Sequence, residues 1–489
     1  MKRLIVIVFI IFGAFLTLCL YRTYAYDTSV VEEVPSTTDL EYTFKIGNSS
    51  IKQITVDSGE TRYYDIVLGN PNNAKISYGV YYEMVSPSTK PDGYSIEYTS
   101  KSTGNSTGKV DKNGNITLNL VVTNASSSTV TVKLGTVAGY VNGGELTLGS
   151  GQVIIPKALV NAVELITNLN DGTTGDSGSG VYKIIHSAIP AGSSATGSEI
   201  PAVTDYRYYG PSPNNYICLD MEGQSTCPDK HLYRIIGSIY DEKENTNRLK
   251  LIKATPLTDG TTSEFSWDYR VFNNGGVVYS NIWATITSGN YSNSLTSGSQ
   301  LMKLLNSGAW WNGTSGSYYN DRTTATTVNF TNYKLSDKAK SYITTSRYYL
   351  GGYNTSRGVM TNQFYVYERG TLRSLTAEPL YWEGMVGLMY PSDYGYAAGN
   401  SCVSGTKLYN YNGGCRIKDW LYISNDHQWL MSPHSDDSRF VFYVGKGGLF
   451  DTNLNDYTYA VRPVFYLNSS ASITNGDGSL NNPYLITLE

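Results

Sequence analysis

The sequence predicts a mostly β chain with an α+β carboxy-terminal region, on three observations. Short runs in which apolar and polar residues alternate return about every ten residues between clusters of Gly, Asn, Pro and Ser. The composition draws on Tyr (43), Gly (48), Thr, Val, Ile, Ser and Asn, not on the Ala, Glu, Lys and Leu of helical bundles. Only 16% of residues are charged against 40% hydrophobic, too apolar a balance for a disordered chain. At 489 residues the chain exceeds the ~250–300 at which a single core stops growing, so two or three domains are expected. Lys plus Arg (37) nearly balance Asp plus Glu (41), with no basic block. The electrostatic footprint of nucleic-acid binding is therefore missing.

The elements follow in chain order. Lys2 and Arg3 precede an apolar run from Leu4 to Tyr21, so residues 1–25 read as a signal peptide cleaved after Ala25 or as an uncleaved membrane anchor. The length of the run fits both. Either way the chain from Tyr26 onward is exported, to an extracellular or cell-surface location. The close spacing of the exported cysteines pairs Cys218 with Cys227 and Cys402 with Cys415 as local disulfides. A zinc site would need shorter spacings and histidine partners, so no metal or other cofactor is expected.

Residues 40–156 carry seven expected strands: Tyr42–Ile46, Ile51–Val56, Arg62–Leu68, Lys75–Met84, Tyr94–Tyr98, Ile116–Val122 and Thr129–Val137. This is the spacing of an immunoglobulin-like β-sandwich. Segments starting at Asp65 and Leu118 repeat one plan, an alternating strand, an Asn-containing turn and a second alternating strand. Asp111-Lys-Asn-Gly-Asn begins like a calcium loop but lacks the remaining acidic ligands; Asn-Gly favours a hairpin turn, and a turn is expected. Residues 157–180 read as a short helix, Lys157–Ile166, and a flexible linker rich in Gly, Ser, Thr and Asp. Residues 181–489 read as an α+β domain. Its expected strands are Leu232–Ile239, Leu249–Lys253, Gln363–Val366, Phe440–Val444 and Ala460–Leu467, and its helices Gly298–Asn306, Ser336–Thr344 and Ile417–Leu421.

Several phrases of this region occur together in order: Asp205-Tyr-Arg-Tyr-Tyr-Gly-Pro, Leu232-Tyr-Arg-Ile-Ile-Gly, Val386-Gly-Leu-Met-Tyr-Pro-Ser-Asp-Tyr-Gly-Tyr-Ala, Trp429-Leu-Met-Ser-Pro and Val461-Arg-Pro-Val-Phe-Tyr-Leu. With them the chain resembles an uncharacterised family of exported Gram-positive bacterial proteins. In that family an immunoglobulin-like module precedes a C-type-lectin-like domain of the kind seen in formylglycine-generating enzymes. The resemblance implies a C-type-lectin-like fold for 181–489 and carries no assigned activity. The late cysteine pair through which formylglycine-generating enzymes work has no counterpart here. Within these phrases Arg462 is expected to serve a buried carbonyl or carboxylate, and Trp429 and Met431 to face the core.

Motifs for catalysis are missing: the sequence has no nucleophile elbow, zinc-protease helix, phosphate-binding loop or dinucleotide fingerprint. His427 and His434, near Asp426, Asp436 and Asp437, fit no metal spacing, and Pro433 interrupts any helix that would align their rings. An enzyme is not expected. What remains is aromatic loop chemistry. Trp310, Trp311, Tyr318, Tyr319, Tyr394, Tyr396, Tyr409, Tyr411, Tyr457 and Tyr459 lie among Gly, Ser and Asn, the mixture that binding loops use. The competing reading makes them ordinary half-buried strand residues. The expected function is a cell-surface protein that binds a protein or glycan of a surface or envelope through these loops. Membrane contact would come from residues 1–25 if they stay attached. A structural envelope or filament component without a specific ligand is the alternative.

Overall fold

The computed structural model describes residues 43–46, 53–98, 107–140, 146–156, 160–170, 172–268, 271–272, 276–277, 281–284, 298–320, 325–375 and 378–488. The expected signal or anchor at 1–25 lies outside them. Among the described residues no helix is long and apolar enough to cross a membrane. The chain is mostly β and divides into two compact units, Met1–Ala158 and Leu159–Glu489.

In the first unit strands β1 (Thr43–Ile46), β3 (Glu60–Gly69), β7 (Asn115–Asn124) and β5 (Tyr94–Tyr98) form one antiparallel sheet in the order β1-β3-β7-β5. β2 (Gln53–Val56), β8 (Val130–Tyr140), β4 (Ile76–Ser86) and β6 (Thr107–Val110) form a second in the order β2-β8-β4-β6, with β9 (Gln152–Ile154) also on β4. The two-residue period of a strand puts Leu118, Leu120 and Val122 on one face of β7 and Val130, Val132 and Leu134 on one face of β8, and both sets enter a single buried cluster. The seven expected strands are all present, within a few residues at each end; β6 and β9 were not foreseen. The repeated plan has a physical basis. Asn70 and Asn124 are buried where their strands end, and each side-chain amide donates to one backbone carbonyl across the following turn, Ala74 O and Ser128 O, and to carbonyls of a neighbouring segment, Val110 O and Asp111 O for Asn70 and Val56 O for Asn124. At the expected turn Asn113 takes φ 55° and Gly114 N–H donates to Asp111 O.

The second unit begins earlier than expected. Strand β10 (Val160–Asn161) pairs with Ala471–Asn475, and Asn161 Oδ1 accepts the Val163 N–H to cap the helix Ala162–Asn168. Ala162 and Ile166 of that helix sit in the core. The segment 172–180, expected as a flexible linker, is instead fastened to this unit. Gly175 O accepts the Asn400 N–H, Ser177 O the Tyr209 hydroxyl, and Ser179 Oγ the Ser212 N–H. Gly399, at φ 86°, permits the approach; a Cβ there would lie 2.3 Å from Gly175 O.

The largest sheet of the second unit is ten-stranded among the described residues. β13 (Tyr216–Cys218), β14 (Leu232–Asp241) and β15 (Thr246–Lys253) lie at its centre, and the hairpin β11 (Gly180–His186)–β12 (Val203–Tyr209) joins through β14. A second, five-stranded sheet runs Glu264–Ser266, Thr458–Ala460, Gln428–Pro433, Phe440–Val444, Phe450–Leu454. The expected strand Ala460–Leu467 proves to be two, because Val461-Arg-Pro carries the chain from one sheet to the other. There Arg462 is buried, donating to Gln428 Oε1 and Leu421 O, and Pro463 has no N–H to give a ladder. The expected strand Gln363–Val366 is a helix, Thr361–Glu368. Its buried residues, Thr361, Phe364, Tyr365 and Glu368, recur at i, i+3, i+4 and i+7. The expected helix Ile417–Leu421 is a 3₁₀ turn at Arg416–Lys418.

Both expected disulfides are present, Cys218–Cys227 and Cys402–Cys415, closing loops with sequence separations of 9 and 13. Opening either is expected to destabilise this unit by about 3 kcal/mol through the loop entropy returned to the unfolded chain. Urea unfolding of the Cys402→Ser/Cys415→Ser variant measures it, and an unchanged midpoint would show that native packing alone holds that loop.

Candidate functional site

The aromatic residues singled out in the sequence do not form one surface. Trp310, Tyr318, Tyr394, Tyr396, Tyr411 and Tyr459 are buried. The Tyr318 hydroxyl donates to Ser266 O and that of Tyr394 to Gly448 O; the Tyr411 hydroxyl bonds Gly395 O and Thr361. Tyr459 stacks on His427 and lies tilted against Trp429, with ring centroids 4.9 and 4.4 Å away. Burial withdraws Trp310, Tyr318, Tyr394, Tyr411 and Tyr459 from any docking face, because a few-charge chain fills its core with rings, and the hydroxyls of Tyr318, Tyr394 and Tyr411 bond backbone carbonyls. Trp311 and Tyr409 are half-buried beside Lys340 and Arg357. Tyr319 and Tyr457 are exposed. His434 Nδ1 accepts the N–H groups of Asp436 and Asp437 and shapes a turn.

The structure assembles a different constellation. On β12, Asp205 and Arg207 are two apart and share a buried face. Arg207 Nε and Nη2 donate to Asp205 Oδ2 at 3.1 and 2.9 Å, and its Nη1 reaches Asp393 Oδ1 at 2.7 Å. Asp393 stands in the first turn of the helix Pro391–Ala397, where Pro391 fixes the entry and the Tyr390 N–H donates to Asp393 Oδ2. The same Oδ2 accepts from Lys250 Nζ of β15 at 2.5 Å. At the other end of the chain of charges, His186 Nε2 lies 2.9 Å from Asp205 Oδ2. The buried sequence is thus Lys250, Asp393, Arg207, Asp205, His186, alternating in sign and ending on an imidazole.

A second group adjoins it. Glu368, the last residue of the helix Thr361–Glu368, accepts from Ser392 N–H at 2.8 Å and Ser392 Oγ at 2.6 Å. Arg369 lies 3.3 Å from Glu368 and 3.6 Å from Glu242. Burial would raise the Asp205 carboxyl, but Arg207 and His186 hold it well below the usual range. Asp393 is likewise held low by Lys250 and Arg207 against its burial. Burial lowers the His186 imidazole, and Arg207 and Arg369 add to the effect against the pull of Asp205. Burial pushes Glu368 up to about 7 despite Arg369 and Ser392.

His186 opens onto a cavity of about 320 Å³ formed between the end of β11, the following loop and the helix Thr361–Glu368. Tyr365 and Tyr396 line it with His186, and Ile185 and Val366, 71% and 41% exposed, stand at its wall. The imidazole lies flat on Tyr365, ring centroids 3.7 Å apart and 5° from parallel, and meets Tyr396 edge-on. Among the described residues no hydrogen bond engages His186 Nδ1 or the hydroxyls of Tyr365 and Tyr396. No known protein family, curated protein or solved structure matches the chain. Of the ten residues singled out in the sequence only Tyr396 belongs to this site. Asp205, Arg207 and Asp393 stand inside the phrases quoted for the family resemblance, yet their pairing was not legible there. The readable signal was three cations, Arg248, Lys250 and Lys253, spaced among the apolar Leu249, Leu251 and Ile252 of strand β15.

A further cluster, Asp220, Glu222 and His231, brings its ligand atoms within 4.8 Å of one another. Lys230 bonds Glu222 and Ser336 bonds Asp220, so both carboxylates already have partners.

Proposed function

We propose that the chain is an exported cell-surface protein whose second unit binds a surface or envelope ligand in the His186 cavity. On this reading the first unit is an immunoglobulin-like spacer and the second a C-type-lectin-like head. Two antiparallel sheets around one apolar cluster support the former, and two disulfides support an oxidising compartment. The observation that carries the proposal is the cavity itself. Exposed aliphatic side chains surround a small set of convergent polar atoms without partners, the usual composition of a ligand site. Ser187 and Ser193 line the wall, and among the described residues neither is hydrogen-bonded to His186. That favours binding over nucleophilic catalysis. Ile185→Asp, at an exposed position that leaves the core intact, is expected to abolish binding seen for the wild-type chain on protein and glycan arrays. A binder whose signal survives Ile185→Asp and Val366→Asp docks elsewhere.

The burial of six of the ten aromatic residues favours a second reading, a structural envelope or filament component. Electron microscopy of the purified chain separates the two, since only the structural reading expects regular polymers.

A further inference from the structure

We infer that the His186 cavity takes an uncharged, extended peptide segment, with one aliphatic side chain among Ile185, Ile189, Pro190 and Val366 and a backbone N–H on His186 Nδ1. The inference rests on the binding reading above and narrows its ligand.

Hydrogen-bond polarity comes first. Asp205 Oδ2 already accepts from Arg207 Nε and Nη2, and an ionised carboxylate can only accept. The contact with His186 Nε2 therefore requires the proton on Nε2. Nδ1 is left as a bare lone pair, a hydrogen-bond acceptor without a partner among the described residues. A ligand must bring it a donor. The Tyr365 and Tyr396 hydroxyls, able to donate, are free for a carbonyl. An extended residue supplies both on one side, through its own N–H and its own C=O.

Charge comes second. Among the described residues no Asp, Glu, Lys or Arg lines the cavity, so a charged ligand would lose its water without gaining a counter-ion. The cations behind the wall, Arg207 and Arg369, are committed to Asp205, Asp393, Glu368 and Glu242.

Shape favours a peptide over a sugar. A saccharide ring rests on an open aromatic face; Tyr396 meets the His186 ring edge-on and carries the Arg207 guanidinium 5.1 Å from its centroid, and Tyr365 has no open face. His186 covers it at 3.7 Å and the Arg369 guanidinium at 3.6 Å from the same centroid. Two groups that close to one centroid occupy opposite faces. The remaining apolar wall is aliphatic, which suits a Leu or Val side chain.

The test uses the full chain labelled at its four histidines and followed by ¹⁵N NMR. The probes are acetylated, amidated tripeptides with Leu, Asp or Lys at the centre, and uncharged oligosaccharides. His186 is expected to show the Nε2–H tautomer. The Leu peptide is expected to shift its signals and to bind at least about ten-fold more tightly than the Asp and Lys analogues. Binding should weaken as acid protonates Nδ1 in the field of Asp205, Arg207 and Arg369, with Tyr365 and Tyr396 as the other facing groups, and Ile185→Asp should remove it. An Nδ1–H tautomer, or a preference for a charged peptide or an oligosaccharide at His186, overturns the inference while leaving the cavity a binding site. If no probe perturbs His186 and Ile185→Asp changes no array signal, the inference and the binding reading fall together.

Discussion

Replacing Asp393 by Ala is expected to destabilise the second unit by about 3–5 kcal/mol, the largest effect of any single charge in the protein. Asp393 is the one carboxylate shared by Lys250 and Arg207, and all three side chains are at most 2% exposed. Taking away one member of a buried ion pair leaves an uncompensated charge in a dry interior, which accounts for that magnitude. Arg207 keeps Asp205, whereas Lys250 is left with the faces of Tyr390 and Tyr466, 4.5 and 5.7 Å away, and a cation–π contact recovers only a part. The Tyr390 N–H also loses its acceptor at the start of the helix Pro391–Ala397. Lys250→Met placed on top of Asp393→Ala should therefore recover stability, because it removes the orphaned cation and fills the space with apolar volume. Tryptophan fluorescence during urea unfolding reads this cleanly, since all seven tryptophans belong to the second unit. With total stabilities of about 5–15 kcal/mol, the single variant is expected to lose its cooperative transition near room temperature or close to it. If Asp393→Ala stays within about 1 kcal/mol of wild type, water reaches Lys250 and the network is not the dry chain described.

The first unit was legible because its strands are half-buried. Each carries its apolar residues at every second position, and that period survives whatever the strand pairs with. The second unit hid more. The helix Thr361–Glu368 reads locally as a β-rich aromatic run, Gln-Phe-Tyr-Val-Tyr, and only the burial of Thr361, three residues before Phe364, and of Glu368, three after Tyr365, reveals its helical spacing. The candidate site was hidden for a related reason. His186, Asp205, Lys250, Glu368 and Asp393 come from five separate elements, and no local pattern announces side chains that meet only after the sheet and helices have packed. The tyrosines misled because ring abundance in loops looks the same whether the hydroxyls face solvent or a backbone carbonyl.

Glu368 supplies the second large effect, and its direction is opposite to that of an ordinary salt-bridged acid. Burial pushes its carboxyl from 4.5 to about 7, so between those pH values the folded chain keeps a proton that the unfolded chain has released. Stability from this group is complete below pH 4.5 and is lost as pH rises through about 7, on the order of 3 kcal/mol in all. His186 acts the other way. Its imidazole is lowered from 6.5 by burial, so its contribution is present above pH 6.5 and is lost as pH falls below it. The two slopes oppose each other in the mildly acid range and mask one another in the wild-type chain. Glu368→Gln separates them, since its one amide oxygen can still accept from the Ser392 N–H, its NH2 can donate to the Ser392 hydroxyl oxygen, and the side chain never ionises. The stability difference, Gln variant minus wild type, is expected to grow from pH 4.5 to about 7 and to level off above it when followed by tryptophan fluorescence in urea. A difference that does not change with pH would mean that Arg369, 3.3 Å away, keeps Glu368 ionised in the folded chain. The carboxylate would then belong to the ion-pair network, and the network's charge would be one unit more negative than its geometry implies.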